Sequence, residues 1–201
     1  PRSKGIAIEN THNRAGGTIQ PQEELLRIGK VAVDHGMFFH LDGARIWNAA
    51  VATGKSVKEL VDPFDSVSCC LSKGLGAPVG SVIAGKKEFI EEAFRVRKAW
   101  GGGTRQIGYL ASAGLYALQH HIPRLAEDHY HAKMIAAALT ECNGVQIDVS
   151  SVQTNIIIFQ PVKKSVEAVL EECKSQGLLL SVGLVGSVRI VTHLGLSTDD
   201  I

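Results

Sequence analysis

Apolar positions along this chain change their spacing from segment to segment, and the changes outline the elements. Over residues 21–34, Leu25, Ile28, Ala32 and Val33 recur at helical spacing. Pro21 suits the first turn of that helix and Gly36 its stop. The spacing then collapses to a consecutive apolar run over 37–41, which predicts a buried strand ending at Asp42. Ser56 is placed to cap a short helix over 56–61. Runs at 66–71 and 79–84 predict two more strands, and residues 86–100 a helix that Gly101-Gly102-Gly103 breaks. Further helical patterns cover 106–121 and, opened by Pro123, 123–141. Strands alternating with helices predict a three-layer α/β domain around a mostly parallel sheet.

Beyond that point the pattern shortens. Runs at 145–149, 154–160, 178–182 and 188–192 predict short strands, with one helix over 165–177 among them. The expected organisation is a large α/β domain over 1–142 and a small α+β domain over 143–201, each incomplete. The ends support that last expectation. Residue 1 is proline, Ile6-Ala7-Ile8 reads as a strand already under way, and 196–201 reads as the first turn of a helix. The chain is expected to be part of a longer protein.

Composition narrows the function. The 201 residues are 45% hydrophobic with a formal net charge of +1, so no basic footprint for nucleic acid and no polybasic membrane segment is present. No apolar run approaches the roughly 18 residues of a membrane-spanning helix. Neither a nucleic-acid nor a membrane partner is expected. Cys69, Cys70, Cys142 and Cys173 have no metal-type spacing, and the adjacent pair reads as small buried hydrophobes. That usage suits a reducing cytoplasm. The eight histidines form no HExxH-type motif. His120, His121, His129 and His131 lie on polar helical stretches and are expected to be solvated.

Candidate chemistry collects at strand ends, where open α/β sheets bind ligands. Asp42 closes one strand, in Phe38-Phe39-His40-Leu41-Asp42-Gly43-Ala44-Arg45. Lys73 follows another, in Cys70-Leu71-Ser72-Lys73-Gly74-Leu75-Gly76-Ala77-Pro78. A lysine that can form a Schiff base, with an acid to hold a pyridinium proton, is what pyridoxal phosphate requires. The plainer readings are an Asp-Gly turn residue and a surface lysine in a glycine-rich turn. Gly101–Gly103 with Arg105 could present amides and charge to a phosphate, or form a flexible linker. Arg189 could clamp a substrate carboxylate with its planar fork, or extend to solvent from its strand. For His12 and His193 a hydrogen-bonding loop role is the simpler reading.

Taken together, these strings resemble the threonine aldolase family, pyridoxal-phosphate enzymes of the aspartate-aminotransferase-like fold. The matching segments are Ile8–Asn13, His40–Ile46 with Asn48-Ala49, Asp65–Ser68, Leu71–Gly80, Arg97-Lys98, Gly101–Gln106 and Val188–His193. They run colinearly over essentially the whole chain. The resemblance implies that Lys73 holds the cofactor, Asp42 pairs with the pyridine nitrogen and Arg45 contacts the ring hydroxyl. Arg105, helped by Lys98, would serve the phosphate, and Arg189 the substrate carboxylate. Asn10 and Asn155 would support these from behind. It implies cleavage of threonine or allo-threonine to glycine and acetaldehyde, in a dimer or tetramer. It also implies an N-terminal segment, not in this chain, that carries the phosphate-binding turn and a histidine stacked on the ring. Related alternatives are β-elimination or hydroxymethyl transfer on the same fold, or an inactive truncated chain.

Overall fold

The computed structural model describes residues 2–201 and falls into two compact units. The first comprises the residues up to Thr11 together with Gln20–Pro123; the second comprises His12–Ile19 and Arg124–Ile201. The division therefore precedes the helix expected over 123–141 instead of following it near Asn143, because that helix packs on the strands of the second unit.

The first unit contains a four-stranded sheet in the order β1 (Gly5–Glu9), β2 (Phe38–Asp42), β3 (Ser66–Cys70), β4 (Ser81–Gly85). β1, β2 and β3 are parallel, and β4 is antiparallel to β3. Helix α1 (Gln22–Asp34) links β1 to β2, burying Leu25, Gly29 and Ala32. Gly36, at φ +59°, takes the left-handed conformation that ends such a helix cheaply. α2 (Ile46–Thr53) and α3 (Val57–Val61) follow β2. The helix over Ile46–Thr53 is absent from the sequence reading, which stops at Asp42-Gly43. Ser56 caps α3 as expected: Ser56 Oγ accepts from the Glu59 N–H while the Glu59 carboxylate accepts from the Ser56 N–H.

The core here is built from Leu25, Ala32, Phe39, Leu41, Ile46, Ala49 and Leu60, all essentially inaccessible. α4 (Lys87–Ala99) buries no residue, and every position of β4 is exposed. α5 (Gly108–His120) buries only Gly114 and Ala117.

In the second unit α6 (Leu125–Thr140) lies with a sheet of order β5 (Val145–Gln146), β6 (Ile156–Pro161), β8 (Val188–Val191), β7 (Ser181–Val182), and α7 (Val166–Ser175) crosses from β6 toward β7. All of its strand pairs are antiparallel. Ala132, Ala136, Val152 and Ile157 form one core cluster and Phe159, Val166 and Val188 another. This is the small α+β layer that the shortened runs predict, with shorter strands than the runs suggest. Among the described residues no helix is long and apolar enough to cross a membrane.

Candidate functional site

Parallel pairing sets the geometry at the first unit's strand ends. Glu9 pairs with Asp42 and Asp42 with Ser68, so β1, β2 and β3 finish on one edge of the sheet. Asp42 is the last residue of β2 and is exposed. Its Oδ1 accepts from the Ala44 N–H at 3.1 Å, turning the chain toward α2. The Gly43 N–H donates to Ser68 O at 2.8 Å. A Cβ on Gly43 would lie 3.0 Å from Val67 Cγ2 and 3.1 Å from Ser68 O, so glycine lets β2 and β3 stay close at this point. Arg45 is the N-cap residue of α2, half-buried. Asn10 is fully buried just past β1; its N–H donates to Asp42 O at 3.0 Å and its Oδ1 accepts from the Gln20 N–H at 3.2 Å.

Lys73 lies on the turn between β3 and β4. The Leu71 N–H donates to Gly80 O (3.0 Å), the Ala77 N–H to Leu71 O (3.0 Å) and the Gly76 N–H to Lys73 O (2.8 Å). Gly76 and Gly80 have φ of +69° and +112°, conformations a side chain would strain. Leu75 and Ala77 point into the core, at 1% and 7% exposure, while the Lys73 side chain stands in solvent. Among the described residues its ammonium has no hydrogen-bond or ion-pair partner. Asp42 and Lys73 thus follow neighbouring strands on one edge, as the sequence predicts. The strand leading to Asp42 is buried at Phe39 and Leu41, while the carboxylate at its end is exposed.

Beneath them Cys69 is buried, and its thiol is pushed up to about 11, first by burial and then by Cys70 and Asp42 nearby. It is held as an inert thiol. The α4–α5 loop carries two further predicted residues. Lys98 belongs to the last turn of α4, and a Cβ on Gly103 would come within 2.6 Å of Lys98 Cδ. Gly102 sits as closely on Arg97, its Cβ position 2.8 Å from Cγ. Glycine at 102 and 103 therefore lets the loop lie close over the end of the helix. Arg105 follows, exposed.

Arg189 belongs to the second unit. Its strand neighbours Val188 and Ile190 pack into the core clusters, so its side chain leaves on the opposite face. Arg189 Nη2 donates to Asn13 Oδ1 at 2.8 Å, and the two residues share a concavity of about 350 Å³ with Arg14, Ile158 and Leu184. Asn13 sits on a turn closed by the His12–Thr18 bridge. That turn is fixed to the sheet by Thr154 Oγ1, which donates to Gly17 O at 2.7 Å. The Arg189 side chain is thus half-buried and hydrogen-bonded at its tip. Sequence reasoning passed over Asn13, although it lies within the quoted Ile8–Asn13 segment.

It also missed the polar interior of this unit. His131 and Asp128 are fully buried and His129 is 6% exposed, against the expectation of solvated histidines. Leu125, Asp128, His129, Ala132 and Ala136 line one face of α6, and that face is covered. Asp128 Oδ1 accepts from Arg124 Nη2 at 2.8 Å, and the Asp128 backbone carbonyl accepts from Thr192 Oγ1 at 2.6 Å. Burial raises the Asp128 carboxyl, with Arg124 opposing the shift. Burial drives His129 down to about 4, aided by Lys133. Asn155 is buried and donates through Nδ2 to Thr192 O at 2.9 Å, which steadies the end of β8. His120 remains exposed and His121 is half-buried. His193 plays the local role expected, its Nδ1 accepting from the Gly195 N–H at 3.1 Å.

The residues present fit pyridoxal phosphate at the strand-end edge. Lys73 supplies an uncommitted amine. The Asp42 carboxylate has its second oxygen free of protein partners among the described residues. Among the described residues no three His, Cys, Asp or Glu side chains gather as a metal-ligand set.

The sequence profile of the beta-eliminating lyase family matches residues 1–161. The low-specificity L-threonine aldolase 1 of Arabidopsis thaliana is 44% identical over all of this chain and 57% of its own length. The chain thus spans somewhat over half the length of the curated relatives it matches. The structure of the Leishmania major threonine aldolase superposes with a TM-score of 0.75 at 18% identity, covering 98% of this chain and 58% of that one. A PLP-dependent aminotransferase from Streptococcus suis superposes at 0.69 with 16% identity, over 94% and 52%. Identities this low speak to the fold, and the fold is the aminotransferase-like one that the family resemblance implies.

Proposed function

The chain belongs to the beta-eliminating lyase family, and from that membership we propose that the whole protein cleaves β-hydroxy-α-amino acids, threonine and allo-threonine, to glycine and an aldehyde. The observation that carries the reading is Asp42 and Lys73 following adjacent parallel strands on one sheet edge. The Arabidopsis relative, a low-specificity L-threonine aldolase, points to the same reaction.

In this reading Lys73 is the attachment point for pyridoxal phosphate and Asp42 holds the proton of its ring nitrogen. The uncommitted ammonium of Lys73 suits a group that must bond to one partner and give way to another. Arg45, at the start of α2, contacts the ring hydroxyl. Lys98 and Arg105 supply positive charge for the phosphate, with the glycines keeping their loop tight. When bound, the cofactor supplies the electron sink for the pair released at Cα as the Cα–Cβ bond breaks. Arg189 binds the substrate carboxylate, fixing which bond at Cα is aligned for cleavage. Asn13 holds that guanidinium in place. The protein is a homo-oligomer, a dimer or tetramer, of the cytoplasm, acting on small amino acids.

A second reading, β-elimination, is favoured by the family's own description. Product analysis separates the two. Full-length protein given threonine or allo-threonine is expected to release glycine and acetaldehyde, and to release little pyruvate from cysteine or tyrosine. Pyruvate and ammonia from the latter pair, with no glycine from threonine, would replace the aldolase reading by the lyase one.

A further inference from the structure

The lysine turn is braced from below by a residue that the proposed reaction does not use. His121 follows the last residue of α5, its backbone N–H bonded to Ala117 O at 2.8 Å. Its ring Nδ1 lies 2.6 Å from the Leu75 carbonyl oxygen. A carbonyl only accepts, so Nδ1 carries the hydrogen and donates. Leu75 is two residues from Lys73 and is buried to 1%. Gly114, Ala117 and His121 are spaced three and four apart and so share one face of α5. At Gly114 a Cβ would stand 3.0 Å from Leu71 Cδ1, so the helix touches the turn near its start as well. Tyr116 sets the ring from the side, 5.5 Å between centroids at 84°.

We propose that His121 is a positioning residue for Lys73: its Nδ1–H clamps the Leu75 carbonyl, holds the 71–77 backbone rigid, and so sets how the lysine amine is presented to its carbonyl partner. The exposed Lys73 side chain has no partner of its own among the described residues, so its direction is inherited from the backbone. That backbone has two internal bonds, Gly76 N–H to Lys73 O and Ala77 N–H to Leu71 O. Both close only within the turn; the His121 bond ties it to a helix. Because Nδ1 carries hydrogen in the neutral and the charged ring alike, protonating Nε2 leaves the clamp intact.

The proposal rests on the reading of Lys73 as cofactor lysine only for its catalytic consequence, and the test separates the two. Asparagine can place its amide near the Nδ1 position, whereas the longer glutamine places it near Nε2. His121→Asn and His121→Gln are therefore compared in the full-length protein. Amide hydrogen exchange of the 71–80 segment is read without cofactor, and the pH midpoint of the lysine-bound cofactor's absorbance with it. We expect His121→Asn to match the parent in both. We expect His121→Gln to exchange about tenfold faster at Gly76 and Ala77, to shift the absorbance midpoint, and to lower kcat more than it raises KM. Equal exchange in both variants and the parent would overturn the clamp. Borohydride trapping of the parent reports separately on the reading beneath it: label on another lysine would remove the role of Lys73 while the exchange result still decides the clamp.

Discussion

Lys73 and Arg189 are held in opposite ways. In the first unit the turn around Lys73 is fixed by backbone bonds, by buried Leu75 and Ala77 and by His121, while the ammonium itself has no hydrogen-bond or ion-pair partner among the described residues. In the second unit the guanidinium is gripped directly by Asn13, and the strand beneath rests on a buried polar set of Asn155, Thr192 and Asp128. The difference follows from what each cation is for in the proposed reaction. An amine that must make and release a covalent bond gains from a rigid root and a free tip. A fork that must meet a carboxylate in one orientation gains from being held at its tip, because freezing it beforehand removes an entropy cost from binding. The cationic candidates differ in exposure as well: Lys73, Lys98 and Arg105 of the first unit stand at the surface, whereas Arg189 of the second is half-buried.

The comparison is broken most directly at Lys73. In the full-length protein Lys73→Ala is expected to abolish the absorbance of lysine-bound cofactor and to lower turnover by on the order of 10³ or more. Since the side chain stands in solvent, thermal stability without cofactor should be unchanged within about 0.5 kcal/mol. A loss of stability with cofactor binding intact would make Lys73 a structural residue and end the contrast with Arg189.

The polar interior of the second unit offers a pH test. His129 is depressed to about 4 by burial, with Lys133 adding to the effect. As pH falls, the unfolded chain takes up the proton first, so the contribution of a neutral His129 is complete above about 6.5 and is lost progressively down to about 4. The drop amounts to about 3 kcal/mol at most. Asp128, with its carboxyl raised, acts with the opposite sign, because protonation relieves its buried charge. Subtraction isolates the histidine: in urea unfolding of the parent and of His129→Gln between pH 7.5 and 4, the parent should lose stability relative to the variant as pH falls below about 6.5, so the gap between the two curves changes with pH. Parallel curves would show that His129 does not titrate differently in the folded state.

These buried groups mark where the sequence stopped being readable. Asp42 and Lys73 were legible because an apolar run ending in Asp-Gly or Ser-Lys-Gly is a local signal, and parallel strands bring such ends together by rule. Helix ends were legible for the same reason, at Gly36 and Ser56. His129 and His131 were not, because polarity within α6 says nothing about a sheet lying over it. β4 failed in the reverse sense: Val82 and Ile83 look like interior residues and are 46% and 47% exposed, with Phe94 of α4 at 60%. Apolar composition predicts a wish for burial and not what supplies it. Asn13 and His121 each act on a residue far along the chain, and no local pattern announces either bond.

The smallest expected effects sharpen the other half of the comparison. Arg189→Lys keeps the charge and loses the planar fork, and KM for threonine should rise about tenfold or more while cofactor stays bound. Asn13→Ala keeps the fork and loosens it. Removing one hydrogen bond to a charged group costs about 1.5 kcal/mol at the low end of its range, so a rise of roughly tenfold in KM, with kcat nearly unchanged, is expected. The double variant discriminates. If Asn13 acts only through the Arg189 guanidinium, adding Asn13→Ala to Arg189→Lys should change KM by much less than it does in the parent, because lysine cannot use the same partner in the same geometry. Fully additive effects would mean that Asn13 binds substrate on its own account. A variant that loses cofactor instead of substrate affinity would transfer Arg189 from the carboxylate to the phosphate, and the rigid tip would then serve the cofactor.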